Sequence, residues 1–258
     1  MMLERRIGST VGHSPSAVES TPCAEELSPY FRGLVIDDRP DLLEASFSLR
    51  YQVYCHDRQF FEAEDYPDQV EIDLFDKHSV HIGVVNTRGE LVATARLVKR
   101  SVAGFPLFPH CSLFAEDEAL LDRTAGIVEV SRLCVRREYT RRAGDGFYSL
   151  QGPTDGRPER RQGGEIMLAV HRTLYQASKR RGFTHWLVAT EKSLQRLVAR
   201  YGFPFRAIGP ETDYYGLVTP YLMNLGVFDD VISSGRIPVL ARFLDGLEPE
   251  YLPVRKEP

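Results

Sequence analysis

Ile127-Val128-Glu129-Val130-Ser131-Arg132-Leu133-Cys134-Val135 sets an acid, a hydroxyl and an arginine inside an otherwise β-branched and apolar run. That composition predicts a strand in the middle of a sheet, where a bare ionised group is costly unless it finds a partner. Glu129 and Arg132 therefore need partners or a task. The plainer reading is an internal ion pair that fixes the sheet. A regular strand alternates faces, which puts Glu129 and Ser131 on one side and Arg132 on the other. Only a bulge between them aligns both charges, and a bulge also frees a backbone N–H of the kind that stabilises an oxyanion.

The rest of the chain is that of an ordinary soluble globular protein: 43% hydrophobic and 26% charged over 258 residues, enough for one large domain. A net charge of −4 argues against a general nucleic-acid binder. Cys23, Cys55, Cys111 and Cys134 stand far apart, which suggests neither a zinc site nor a disulfide framework and fits a reducing cytoplasm. No run reaches the roughly 18 apolar residues of a membrane span. Residues 1–28, rich in Ser, Pro, Thr and Glu, read as a mobile arm, and residues 29–258 as a single domain.

Working outward, Phe31 to Ile36 reads as a strand, followed by a helix capped by Asp38 with Pro40 in its first turn. Leu43, Phe47, Tyr51 and Tyr54 recur at helical spacing as its buried face, and Arg50 lies close to that face, a cation aimed at a core. The segment Phe60 to Tyr66 reads as a flap. In Glu71-Ile72-Asp73-Leu74-Phe75-Asp76 the acids are either a solvated turn or partners for Arg50. Val80 to Asn86 and Glu90 to Lys99 form a hairpin about Thr87-Arg88-Gly89, with Arg96 a further charge in an apolar setting.

After the opening strand, residues 137–163 are charged and glycine-rich, a long loop of the kind that is functional or flexible. Glu165 to Arg181 is an amphipathic helix with Ile166, Val170, Leu174 and Ala177 on one face. Strands at His185 to Ala189, Phe203 to Ile208 and Tyr214 to Leu225 follow, with a helix at Ser193 to Tyr201 and Pro220 demanding an edge or a bulge. The order predicts an α/β (α+β) fold, three layers about a mixed, mostly antiparallel sheet. Arg157, Arg160, Arg161, Gln162, Gly163 and Gly164 sit where a loop enters a helix, which suits a phosphate.

Together, Leu49-Arg50-Tyr51-Gln52-Val53-Tyr54, Glu71 to Asp76, Leu91-Val92-Ala93-Thr94-Ala95-Arg96-Leu97 and Glu129-Val130-Ser131-Arg132 resemble the acyl-homoserine-lactone (autoinducer) synthase branch of the GNAT acyltransferase superfamily. Within it the layout is most similar to the acyltransferases associated with the exosortase/PEP-CTERM system, relatives of the N-acyl amino acid synthases. The resemblance implies that Arg50, Glu71, Asp73, Asp76, Arg96, Glu129 and Arg132 form one electrostatic cluster. It implies that an amine attacks a phosphopantetheine thioester on acyl carrier protein or coenzyme A, with Glu71 or Glu129 taking the proton and no metal required. Backbone N–H groups near Leu133, Cys134 and Val135 would hold the oxyanion.

Arg160-x-x-Gly163 keeps only part of the GNAT phosphate pattern, which favours acyl carrier protein as donor. Arg136, Arg137, Arg141, Arg142, Lys179, Arg180 and Arg181 would dock that acidic partner. Two rivals stand: an acyl-homoserine-lactone synthase using S-adenosylmethionine, and a non-catalytic sensor of acyl carrier protein. Cys134 reads as an apolar filler, and His78 with His81 lacks a third metal ligand. Phe105, Leu107, Phe108, Leu168 and Phe203 read as a tunnel for a fatty chain, with His171 and Trp186 as packing.

Overall fold

The computed structural model describes residues 30–139 and 162–253, so the expected arm at 1–28 and most of the 137–163 loop lie outside the described residues. The elements run β1 (Phe31–Val35), α1 (Pro40–Tyr51), β2 (Ser79–Asn86), β3 (Leu91–Lys99), α2 (Ala115–Arg123), β4 (Ile127–Val135) and α3 (Gln162–Arg180). They continue as β5 (His185–Thr190), α4 (Lys192–Arg200), β6 (Arg206–Ala207), β7 (Thr212–Asp213), β8 (Leu217–Asn224), α5 (Leu225–Ser233) and α6 (Pro238–Leu244).

The sheet order is β1-β2-β3-β4-β5-β8-β6, with β7 paired to β8 aside, and every pairing is antiparallel except β4 with β5. Alternation along β2 divides the core: Val80, Ile82 and Val84 pack with Ile166, Val170 and Leu174 of α3, while Val85 joins Leu42, Leu49 and Val53 on the α1 side. Strands covered on both faces read as continuous apolar runs, and the three-layer expectation holds. All four residues expected on the buried face of α3 are buried.

Two irregularities shape the centre. Thr94 pairs with Cys134 but Arg96 with Ser131, so Arg132 and Leu133 together oppose Ala95, and Arg132 adopts φ 52°. This is the bulge the opening strand required. The parallel ladder of β4 and β5 consists of only Ile127↔His185, Val128↔Trp186 and Glu129↔Leu187. Beyond Glu129 the two strands part.

Several local expectations are corrected. Arg39, not Asp38, is the N-cap of α1, because Pro40 is already helical, and Arg39 pairs with Asp41 at 3.0 Å. Leu43, Phe47, Tyr51 and Tyr54 are half-buried; the buried face is Leu42, Ser46, Leu49 and Arg50. The helix runs on into a π-helical turn, Gln52–Asp57, which breaks the 3.6-residue period that placed Tyr54 on that face. Phe203 to Ile208 shrinks to β6, with Phe203 buried in the core.

Pro220 lies inside β8, opposite Ala189. It is tolerated because β6 ends at Ala207: Ile208 donates to the Pro220 carbonyl at 3.0 Å, and the Ile208 carbonyl, which proline cannot serve, accepts from the Phe114 N–H at 2.8 Å. Of the five tunnel candidates Phe108 is exposed, and the other four separate. Phe105 and Leu107 belong to one apolar cluster and Phe203 and Leu168 to another, with the sheet between their helical covers.

Candidate active site

Six of the seven charged residues singled out in the sequence meet in one buried network. Arg50, near the end of α1, donates from Nε to Glu71 at 2.5 Å and as a fork to both oxygens of Asp76, at 2.7 and 3.0 Å. Arg96, on β3, makes a second fork on Asp73, 2.7 Å to each oxygen, and reaches Asp76 at 2.7 Å and Ser131 Oγ at 3.0 Å. The bulge turns Arg132 toward the same acids, at 3.0 Å from Glu71 Oε1 and 3.0 Å from Asp73 Oδ2. The 71–76 segment folds around its own carboxylates, for Asp76 accepts from the Asp73 N–H and Asp73 from the Phe75 N–H, each at 2.8 Å. The acids of this turn are partners of the arginines and not a solvated face.

Burial by itself would raise the pKa of each of these carboxyls. Arg132 and Arg50 outweigh it at Glu71, Arg96 and Arg132 at Asp73, and His81, Arg50 and Arg96 at Asp76, so all three are held below the usual carboxylate range. Burial likewise opposes the charge on Arg50 and Arg132, and their carboxylates overcome it and raise both. Fork geometry on both sides makes the network a rigid, always-charged body.

Glu129 is the exception to the single cluster. Its one hydrogen bond among the described residues comes from the Leu107 N–H at 3.0 Å, and no arginine reaches it as an ion pair. Burial pushes its carboxyl up to about 8, against the pull of the Leu107 N–H, Arg96 and Arg132. The register explains the separation. The arginines were expected to pair with it, but Glu129 precedes the bulge and faces the loop that carries Leu107, whereas Arg132 follows the bulge and faces the acids.

Where β4 and β5 part, a cleft of about 210 Å³ opens. Glu129 to Leu133 form one wall, Val188 to Glu191 with Leu194 of α4 the other, and Tyr54, Phe60, Phe61, Tyr214 and Tyr215 an aromatic cover. The Arg132 guanidinium lies 5.3 Å from the ring centroids of both Tyr54 and Phe61, and Phe61 meets Tyr215 edge-on at 5.0 Å. The non-glycine residues with positive φ among the described ones are Gln59, Gln69, Arg132 and Tyr215. Gln59 and Gln69 bracket the flap that carries Phe60 and Phe61, and Arg132 and Tyr215 line the cleft, so the backbone strain gathers at this one place.

Of the three backbone positions expected to serve an oxyanion, Leu133 borders the cleft, while Cys134 and Val135 are buried past the bulge, back in register with Thr94 and Ala93. Burial pushes the Cys134 thiol up to about 12, in keeping with an apolar filler. Gln162, Gly163 and Gly164 form the first turn of the 19-residue α3, whose leading N–H groups can receive a phosphate. Arg157, Arg160 and Arg161 lie outside the described residues.

The basic docking surface expected from sequence divides. Arg136 and Arg137 follow β4, whereas Lys179 and Arg180 end α3 and Arg181 follows it, shortly before Thr184 donates to the Gly126 carbonyl at the opposite end of β4, with Lys179 and Arg180 bound to Asp229 and Glu248. Arg141 and Arg142 lie outside the described residues.

The sequence reading missed Tyr214 and Tyr215, which it took for strand, and the Leu107 N–H. No spacing marks a backbone donor; the glycine after Tyr215 was the available sign of a turn.

Residues 49–148 match the family model described as an acetyltransferase (GNAT) domain. Among curated proteins none matches the chain. Among solved structures the chain is similar to a CoA-dependent acyl-homoserine lactone synthase, BjaI, with SAM and isopentyl-CoA: 18% identity, 83% of this chain and 98% of that one, TM-score 0.54. TofI in a ternary complex with an inhibitor and MTA gives 16%, 86%, 98% and 0.53. FeeM, an N-acyl amino acid synthase from uncultured soil microbes, gives 14%, 78%, 93% and 0.51. The fold is that of the GNAT acyltransferases, and residues 49–148 carry the match to a domain of that type.

Proposed function

We propose that this GNAT acyltransferase moves a fatty acyl group from a phosphopantetheine thioester to the amine of a small acceptor such as an amino acid. The observation that carries the reading is Glu129, a carboxyl poised near neutrality in the wall of a cleft between parting strands, beside a network already neutralised by its own arginines. Between the two acids first considered, the saturation of Glu71 favours Glu129 as general base.

Glu129 takes a proton from the acceptor ammonium, and the freed amine attacks the thioester carbonyl. The N–C bond forms to give a tetrahedral oxyanion, which collapses with breakage of the C–S bond, and the second amine proton passes to the leaving thiolate. The β5-facing edge of β4 beyond Glu129, where the parallel ladder has ended and the cleft opens along Val130 to Leu133, supports an oxyanion site on its backbone N–H groups. Arg50, Arg96, Asp73 and Asp76 hold the wall on which Glu129 and Arg132 stand.

The first turn of α3 suits the donor's phosphate, and the departure from the GNAT glycine pattern favours acyl carrier protein over coenzyme A. An exposed stripe on α4, Lys192, Arg196 and Arg200 at intervals of four, starts directly after the cleft residues Thr190 and Glu191 and suits that acidic carrier better than the divided surface. The sequence motifs support a place among the exosortase/PEP-CTERM-associated acyltransferases, and the widely spaced cysteines support a cytoplasmic site of action. The second reading, lactone synthesis, rests on the likeness to BjaI in complex with SAM.

Incubating the purified protein with acyl carrier and coenzyme A thioesters, a panel of amines and S-adenosylmethionine, followed by mass spectrometry, separates the readings. An N-acyl amino acid is expected. Methylthioadenosine release with a lactone would replace it by the second reading, and carrier binding without any transfer would leave a sensor.

A further inference from the structure

His81 belongs to no part of the proposed chemistry, yet it is buried at 5% exposure in an apolar strand, where a polar ring needs partners on both nitrogens. It has them: Nδ1 lies 2.7 Å from Asp37 Oδ1 and Nε2 lies 3.1 Å from Asp76 Oδ1. Both partners are carboxylates, which only accept, so both ring nitrogens must donate. The ring is therefore an imidazolium.

From these contacts we infer that His81 is a positioning residue, the fourth cation of the network, whose charge sets the wall of the cleft. Four carboxylates, Asp37, Glu71, Asp73 and Asp76, then face four cations, Arg50, Arg96, Arg132 and His81. The groups facing the ring are Asp37 from the β1–α1 connection, Asp76 from the turn before β2, and Arg96, its cross-strand neighbour on β3. Phe47 of α1 meets it edge-on at 5.7 Å, and Arg50 of α1 shares Asp76 with it. Asp76 Oδ1 receives Arg50, Arg96 and His81 at once. A neutral ring would turn a lone pair on one of its two carboxylates, and Asp76 is the brace common to the two arginines that fix Glu71 and Asp73, hence Arg132. Although burial opposes the charged ring, Asp37 and Asp76 outweigh it and hold its pKa above the ordinary value. Asp37 is 38% exposed, so the network has one end in solvent.

The inference rests on the proposed acyl transfer for its kinetic arm only. Two measurements test it on the full-length protein. By ¹⁵N NMR of labelled histidine, both ring nitrogens of His81 should be protonated at pH 7; a single-proton tautomer overturns the inference. In turnover, His81 should set the alkaline limb of kcat/KM. Asp37→Asn keeps an acceptor but removes the charge at 2.7 Å, and should move that limb down by about one pH unit, with the limb due to Glu129 unmoved. An alkaline limb that stays in place, or activity lowered equally at every pH, overturns it. His81→Gln, with no titrating ring, should abolish the limb; if that variant does not fold, Asp37→Asn still decides. Should no thioester support transfer, the proposed reaction fails while the ring measurement still judges His81.

Discussion

Two parts of the molecule bury charge in opposite ways. In the network of Arg50, Arg96, Arg132 and the 71–76 acids every guanidinium is forked onto carboxylates and the acids are held below their usual pKa, so the group stays charged and fixed. Glu129, on the same strand as Arg132, has one backbone donor and a carboxyl raised to about 8. A saturated group cannot exchange a proton at neutral pH, whereas an unsaturated one can. The bulge assigns Arg132 to the scaffold and leaves Glu129 for chemistry.

The comparison breaks most sharply on Glu129→Gln. The amide keeps the Leu107 contact, so the fold should persist while acyl transfer falls by about 10²–10⁴-fold in a steady-state assay. This variant should also melt higher than wild type at pH 7. Glu129 is raised on folding, so wild type loses stability as pH climbs above the unfolded carboxyl value toward about 8, a loss glutamine does not share. Nearly wild-type rates would remove Glu129 from the mechanism.

Next in size, Arg50→Ala should lower unfolding stability by about 3–5 kcal/mol in urea titration, because Asp76 loses its only fork and Glu71 its shortest ion pair at a deeply buried cation of the network. Arg132→Ala should cost less, since Arg50 still holds Glu71 and Arg96 still holds Asp73. Equal costs would contradict the network's order.

Acid sharpens the same contrast. Glu71, Asp73 and Asp76 are lowered on folding, so their contribution is present above unfolded values near 4 and is lost as pH falls through their folded values. Circular dichroism should show the native state holding at pH 5 and weakening below about 4. The smallest effect expected is Phe61→Ala, which removes one ring from the Arg132 cation and should cost about 1 kcal/mol in stability.

Much of this was legible because a charge in an apolar run stands out at any distance from its partner. Arg50, Arg96, Glu129 and Arg132 were found that way, and the bulge followed from alternation once Glu129 and Arg132 were required to serve one cavity. His81, between Val80 and Ile82, carries the same signal and was passed over as half of a metal pair. The separation of Glu129 from the arginines was not legible, because a pairing register and a backbone donor such as Leu107 leave no mark in side-chain pattern. Nor was the break in α1, where a π-helical turn moves Tyr54 from the expected core face to the cleft. The basic clusters misled for a related reason: Arg136 and Lys179 flank one loop–helix unit in sequence, yet that unit crosses the sheet and leaves them at its opposite ends.

The most direct test of Glu129 as the base is the pH dependence of kcat/KM. Wild type should rise through an ionisation near 8, tenfold per unit below it, and Glu129→Gln should lose that limb. A limb that survives in Glu129→Gln, or one centred in the ordinary carboxylate range, would contradict the assignment.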